Sequence, residues 1–234
     1  MDLKRFFCDT KIDGNVAYLT GDEFYHAVKV TRHKVGYKLV LCDNGNKDYY
    51  ATVKEINKDN LVASIDSVVD NEVESDFFAR LFIGNCKELD TVVQKAVELG
   101  IKEIVPFTSA HCNVSNLNLE RMQKIVLESS KQCGRSSLAI VKELMTFDEA
   151  LDYAKDDTII TFYEYERINK VKDLHLDKNK PISLFIGCEG GFSLEEVDRF
   201  NKIGANICTL GKRILRVSTA VVSACTLINE KLDD

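Results

Sequence analysis

Two short stretches of the 234-residue chain have the composition of a ligand site. The first, Ile186-Gly187-Cys188-Glu189-Gly190-Gly191-Phe192-Ser193, carries three glycines and one carboxylate. The second, Leu210-Gly211-Lys212-Arg213-Ile214-Leu215-Arg216, joins one glycine to three cations. Glycine removes the Cβ that would hold a ligand away and leaves backbone N–H groups open to it. A single glycine after a strand often only makes a turn, but two such loops in succession point to a bound ligand. That ligand does not look like a nucleoside triphosphate, because the chain has no G-x-x-x-x-G-K-[ST] and no G-x-G-x-x-G. The four histidines, at 26, 33, 111 and 175, follow no catalytic spacing, and no G-x-S-x-G occurs. Eight cysteines stand singly, with no C-x-x-C pair, which argues for reduced core thiols and against a metal centre.

The elements that must position these loops follow from periodicity. From Ala79 onward, strand and helix patterns alternate: strands at Ala79–Ile83, Glu103–Phe107, Thr158–Tyr163, Ile182–Ile186 and Asn206–Leu210. Helices follow at Leu89–Val97, at Leu119–Val126 continuing towards Gly134, at the capping boxes Thr146/Glu149 and Ser193/Glu196, and over Val217–Ile228. This is an α/β domain in which both glycine loops leave the carboxyl ends of strands, where open α/β sheets bind ligands. The first seventy residues differ. Short apolar runs at Arg5–Cys8, Val16–Thr20, Lys38–Cys42, Tyr49–Ile56 and Leu61–Ile65, with a brief helix near Glu23–Val30, predict a small β-barrel. Asp43-Asn44-Gly45-Asn46 is its clearest hairpin turn. The acidic segment Asp66–Asp76 is the expected boundary, so the chain divides into residues 1–70 and 76–234.

The net charge of -6 speaks mildly against a nucleic-acid binder, whose phosphate contacts need cations. A global sum can hide a local patch, and Lys29, Arg32, His33 and Lys34 sit close together, although on charge alone a solvated surface is the favoured reading. The N-terminal MDLKRFFCDT lacks the apolar run of a secretory signal, and no stretch matches a spanning helix, so a cytoplasmic protein is expected.

At the two loops a family resemblance emerges. LFIGCEGGFSLEEV resembles the signature IGPEGGFS-x-x-E of the RsmE family, the 16S ribosomal RNA uridine-N3 methyltransferases, and LGKRILRVSTA resembles its LG-x-RILRTETA. QKAVELG is similar to QKATELG, and Lys131-Gln132-Cys133-Gly134-Arg135 to EQ-x-GR. The resemblance implies a SPOUT α/β trefoil-knot domain behind a PUA-like RNA-binding barrel. It implies a homodimer that binds S-adenosylmethionine and methylates N3 of a uridine in 16S rRNA or the assembled small subunit. The implied cofactor residues are Phe162, Ile186, Gly187, Glu189, Gly190, Gly191, Leu210, Gly211, Ile214 and Leu215. Arg216 is the candidate catalytic residue, with neutralisation of a carboxylate such as Glu189 as the alternative. Arg5, Lys29, Arg32, Lys87, Lys95 and Arg135 are the candidate RNA contacts; no metal or membrane is implied. Another RNA target, or a non-catalytic RNA-binding member of the fold, stays open at this point.

Two departures stand out. Cys188 replaces the family proline, and Ser218 stands where the family has a glutamate. The lost carboxylate predicts slow methylation that speeds up at alkaline pH, and a faster enzyme on Ser218→Glu.

Overall fold

Alternating apolar and polar residues give the N-terminal part five strands: β1 Arg5–Phe7, β2 Val16–Leu19, β3 Lys38–Cys42, β4 Lys47–Ile56 and β5 Leu61–Asp70. Their order is β1-β3-β4-β5-β2, with β1 parallel to β3 and the other pairs antiparallel. Register shifts at Tyr50/Ala51 and Val53/Glu55 bend the long β4–β5 pair, as bulges do. A short helix, α1 Gly21–Tyr25, runs into a π-helical turn at His26–Val30. The core on this sheet is Phe6, Leu19, Ala27, Leu39, Leu41 and Leu61, all essentially inaccessible to solvent. β5 runs on to Asp70, into the acidic segment Asp66–Asp76 where the sequence set the expected boundary. At the hairpin turn the left-handed residues are Asn44 (φ 63°) and Asn46 (φ 56°), while the Gly45 amide bonds the Asp43 carboxylate at 3.1 Å.

The computed structural model describes residues 3–232 and divides into two units. The first runs to Glu74 and takes in Leu127–Leu138; the second comprises Ser75–Val126 and everything from Ala139. In the second, β6 Ala79–Gly84, β7 Glu103–Thr108, β8 Ile140–Val141, β9 Met145–Thr146, β10 Thr158–Phe162, β11 Ile182–Ile186 and β12 Asn206–Cys208 are all parallel. The order is β12-β10-β11-β6-β7-β8, with β9 also on β7. Such two-sided burial explains why these strands are near-continuous apolar runs. The helices are α2 Leu89–Glu98, α3 Leu119–Cys133, α4 Phe147–Tyr153, α5 Leu194–Lys202 and α6 Val217–Leu232. Both expected capping boxes form, at Thr146/Glu149 and at Ser193/Glu196. Six phenylalanines, Phe82, Phe107, Phe147, Phe185, Phe192 and Phe200, pack together in this core.

α6 buries Val217, Val221, Ala224, Cys225 and Ile228 within its own unit, packing on α2 and β11. Among its described residues Val222, 37% exposed, is the large apolar side chain left at the surface. No helix among the described residues is long and apolar enough to cross a membrane.

Candidate active site

Register places the ends of three strands side by side: Phe162 of β10 pairs with Ile186 of β11 and with Cys208 of β12. The loops that follow these ends, together with the start of α6, surround a cleft. Phe162, Ile186, Gly187, Glu189, Gly191, Leu210, Gly211, Ile214 and Leu215, all among the cofactor residues the resemblance implies, line it. Tyr163, Glu164, Cys188, Phe192, Arg213, Val217 and Ala220 line it too. Glu164 lay in a loop without a motif, so only the fold could bring it here.

The glycine loop is held by close approach. A Cβ on Gly84, at the end of β6, would overlap the amide nitrogen of Cys188 and come within 2.9 Å of the Gly187 carbonyl carbon. Gly84 therefore lets the loop lie directly on β6; the sequence signal was a glycine closing an apolar strand. Gly191 adopts φ +67°, and a side chain there would collide with the Glu164 carboxylate. Gly190 is different. A Cβ at that position would stand 2.6 Å from the His111 Cβ, and the Gly190 carbonyl meets His111 Nδ1 at 2.9 Å. It is not among the residues lining the cleft, and its close approach is to His111. Glu196 secures the same region by accepting from the Ser193 amide at 2.8 Å and from the Ala110 amide at 2.9 Å.

The eight cysteines are free thiols, and Cys188 is buried among them. It adjoins Cys112, whose thiol is pulled down to about 6 by the Cys188 hydrogen bond and by the Ser109 hydroxyl and amide, against the effect of burial. The Ser109 Oγ lies 3.2 Å from Cys112 Sγ. Cys188 moves the opposite way, upward, because its neighbour takes the charge first.

Arg216 stands just past the cleft lining, with its side chain 83% exposed. Its carboxylate neighbour is Glu88, at 3.5 Å, and not Glu189. Glu189 instead accepts from the Lys87 amide at 2.9 Å. Ser218 donates to the other oxygen of Glu88 at 2.7 Å. The Ser218 hydroxyl above all, with a lesser part from Arg216, holds the Glu88 carboxyl below the usual carboxylate range against the opposing effect of desolvation.

The candidate RNA contacts separate into two groups. Arg5 and Arg135 are internal: Arg5 bonds Asp48 at 2.5 and 2.8 Å and Ser136 at 2.5 Å, and Arg135 bonds Glu74 at 2.7 Å with 4% exposure. Their donors serve the fold, which corrects the expectation that they face RNA. Lys131, in the same motif, is equally internal, bonded to Glu23 at 2.7 Å and His26 at 2.9 Å. Lys29, Arg32 and Lys87 are exposed, and Lys95 is half-buried and paired with Glu98 at 2.8 Å.

Residues 74–229 match the model of the RNA methyltransferase domain family, and residues 19–66 that of the RNA methyltransferase PUA domain. Ribosomal RNA small subunit methyltransferase E of Buchnera aphidicola is 30% identical over 224 residues, covering 90% of this chain and 88% of that one. The chain belongs to the RsmE family. The protein of the same name from Mesomycoplasma hyopneumoniae is 30% identical over 230 residues, covering 95% and 97%. The crystal structure of the Neisseria gonorrhoeae methyltransferase E bound to S-adenosyl methionine superposes with a TM-score of 0.91 at 27% identity, covering 98% of each chain. The fold is accordingly that of the family, a SPOUT methyltransferase domain with a PUA-like N-terminal domain.

Proposed function

We propose that this chain transfers a methyl group from S-adenosylmethionine to N3 of a uridine in 16S ribosomal RNA of the small subunit, acting in the cytoplasm. The observation that carries the reading is the cleft of the three strand-end loops, in a chain whose RsmE relative binds S-adenosyl methionine. The residues present fit that cofactor. Phe162, Ile186, Leu210, Ile214 and Leu215 offer apolar walls for an adenine ring, while Glu164 and Glu189 offer acceptors for ribose hydroxyls or the amino group. Gly187 lets the Gly191 backbone approach closely and Gly191 does the same for the Glu164 carboxylate, which shapes the loop that lines the cleft.

When bound, the cofactor supplies an electrophilic methyl group on a sulfonium. The loops exclude water from that group and fix the direction of approach, which is a large part of catalysis for a simple displacement. Uridine N3 carries a proton and becomes nucleophilic as that proton passes to water. Arg216, at the rim, stabilises the negative charge that develops on O2 or O4. The exposed cations Lys29, Arg32 and Lys87 suit RNA phosphate.

Incubation with isolated small ribosomal subunits and methyl-labelled cofactor, followed by nucleoside mass spectrometry, tests the reading. 3-Methyluridine in the 16S strand is expected; label in another nucleoside or another RNA, or none, refutes it. The chain is also read as a homodimer. The family resemblance supports this, and Ile214, 80% exposed at the cleft, is an apolar side chain that a partner could cover; the apolar face of α6 is used within its own unit. Sedimentation at micromolar concentration should give the dimer mass, and a monomer would refute it.

A further inference from the structure

The family glutamate is absent at Ser218, yet a carboxylate stands 2.7 Å from the Ser218 hydroxyl. It belongs to Glu88, in the turn that opens α2, more than a hundred residues away in sequence. We propose that Glu88 is the positioning residue for Arg216, supplying from the start of α2 the carboxylate that the last helix lacks. This rests on the role given to Arg216 above.

The two oxygens of Glu88 are divided between two partners. Oε2 accepts from Ser218, in the first turn of α6, and Oε1 faces Arg216 Nη1 at 3.5 Å. Ser218 therefore acts as a donor that fixes the carboxylate, and the carboxylate in turn limits where an exposed guanidinium can point. An arginine side chain that is 83% exposed has many rotamers to lose before it can meet a developing oxyanion. Restricting them beforehand is worth rate, while an ion pair between such exposed groups adds little to folding. Glu88 is itself placed by its neighbour, since the Lys87 amide is bonded to Glu189 in the glycine loop at 2.9 Å. One short segment, Lys87–Glu88, so ties the glycine loop to the base of α6.

This arrangement reverses what the sequence suggested for Ser218→Glu. In the unaltered protein a glutamate at 218 would set two carboxylates against each other, a costly arrangement for like charges. It would also remove the donor that holds Glu88. The single variant S218E should thus methylate no faster than the original. The pair becomes interchangeable once the first carboxylate is gone.

The experiment compares E88Q, S218E and E88Q/S218E with the original protein, measuring kcat on small subunits, KM for RNA and cofactor affinity by calorimetry. E88Q should lose about tenfold or more in kcat, the scale expected when a reacting group is misplaced. Its cofactor affinity and melting temperature should stay unchanged. E88Q/S218E should recover most of that loss, although S218E alone gains nothing. Full kcat in E88Q, parallel loss of kcat and cofactor affinity, or no recovery in the double variant overturns the proposal. A measurement without turnover separates this from failure of the functional reading. The Arg216 side-chain nitrogen signals, followed by NMR in the protein with bound cofactor, should sharpen or shift only while a carboxylate is present at 88 or 218. Signals identical in the original and in E88Q overturn the positioning role even if the protein proves inactive on ribosomal RNA.

Discussion

The three glycines of Gly187–Gly191 looked equivalent as letters, and the structure gives them different work. Gly191 lies in the left-handed region at φ +67° with Glu164 against its missing Cβ, whereas the missing Cβ of Gly190 faces His111. Gly191→Val should therefore lose cofactor affinity at least tenfold and destabilise by about 1–2 kcal/mol, the cost of a side chain in that conformation. Calorimetry and thermal denaturation check both, and full affinity would show that the loop is only a turn. Gly190→Val should act through displacement of the His111 loop, so its main effect is on stability. Cys112 gives a pH-dependent test. Its thiol is drawn down to about 6, so iodoacetamide should modify it at neutral pH well before the buried Cys208 and Cys225, whose thiols burial pushes up to about 11 and 12. Equal reactivity of all three, followed by peptide mass mapping, would contradict this. At this scale the sequence showed which loops matter, because glycine and charge are local properties. It could not show Glu88 beside Ser218 or Glu164 beneath Gly191, because those contacts depend on chain crossings that no spacing encodes.

Long periodic segments were legible as elements for the same reason that they fold: α2 and α5 each carry an apolar stripe, and capping boxes mark where α4 and α5 begin. The short pairings β8 and β9, two residues each, have no period to detect and exist because β7 offers a free edge. The acidic stretch after Ile65 was legible as polar but not as strand. β4 offers it a long partner, and that pairing outweighs its own weak preference for strand. Phe192 links element to site. It follows the glycine loop, is 4% exposed and meets Phe200 edge-on at 5.1 Å and Phe107 at 6.3 Å. Phe192→Ala should destabilise the unit by about 3–5 kcal/mol through loss of buried surface and the cavity left behind. The loop loses its anchor at the same time, so cofactor affinity should fall along with the melting temperature. A variant that melts early yet binds normally would show that the loop is held by Gly84 and Glu196 alone.

On the scale of the whole molecule, the division between units is not the single cut that composition suggested. The first unit recruits Leu127–Leu138, where Leu127 and Leu138 pack against Phe7, Val40 and Cys42. The EQ-x-GR-like stretch within that segment is the reason: Lys131 reaches Glu23, Asn71 donates to the Gly134 carbonyl at 2.9 Å, and Arg135 reaches Glu74. Asp48 sits in the same network. Burial opposes its charge, but hydrogen bonds from Arg5, Ser136 and Asn71 outweigh that and hold its carboxyl below the usual range. The stabilisation is present above the ordinary carboxylate pKa and is lost as pH falls through the lower folded value. Thermal scans should thus show acid sensitivity that Asp48→Asn flattens, at the cost of a lower melting temperature near neutrality. An acid profile unchanged by the variant would place the sensitivity elsewhere. Cutting the chain tests the division itself. A fragment from Ser75 keeps every residue of the cleft, so it should bind cofactor as the whole chain does. It also strips Leu127–Leu138 of the partners just named: Lys131 loses Glu23 while keeping Glu128, and Arg135 loses Glu74. Amide hydrogens of Leu127–Cys133 should then exchange far faster than in the full chain, while those of β10 and β11 keep their protection. Unchanged protection across the end of α3 would mean that this helix stands without the N-terminal strands. Loss of cofactor binding in a fragment with protected β10 and β11 would mean that the cleft needs residues from before Ser75.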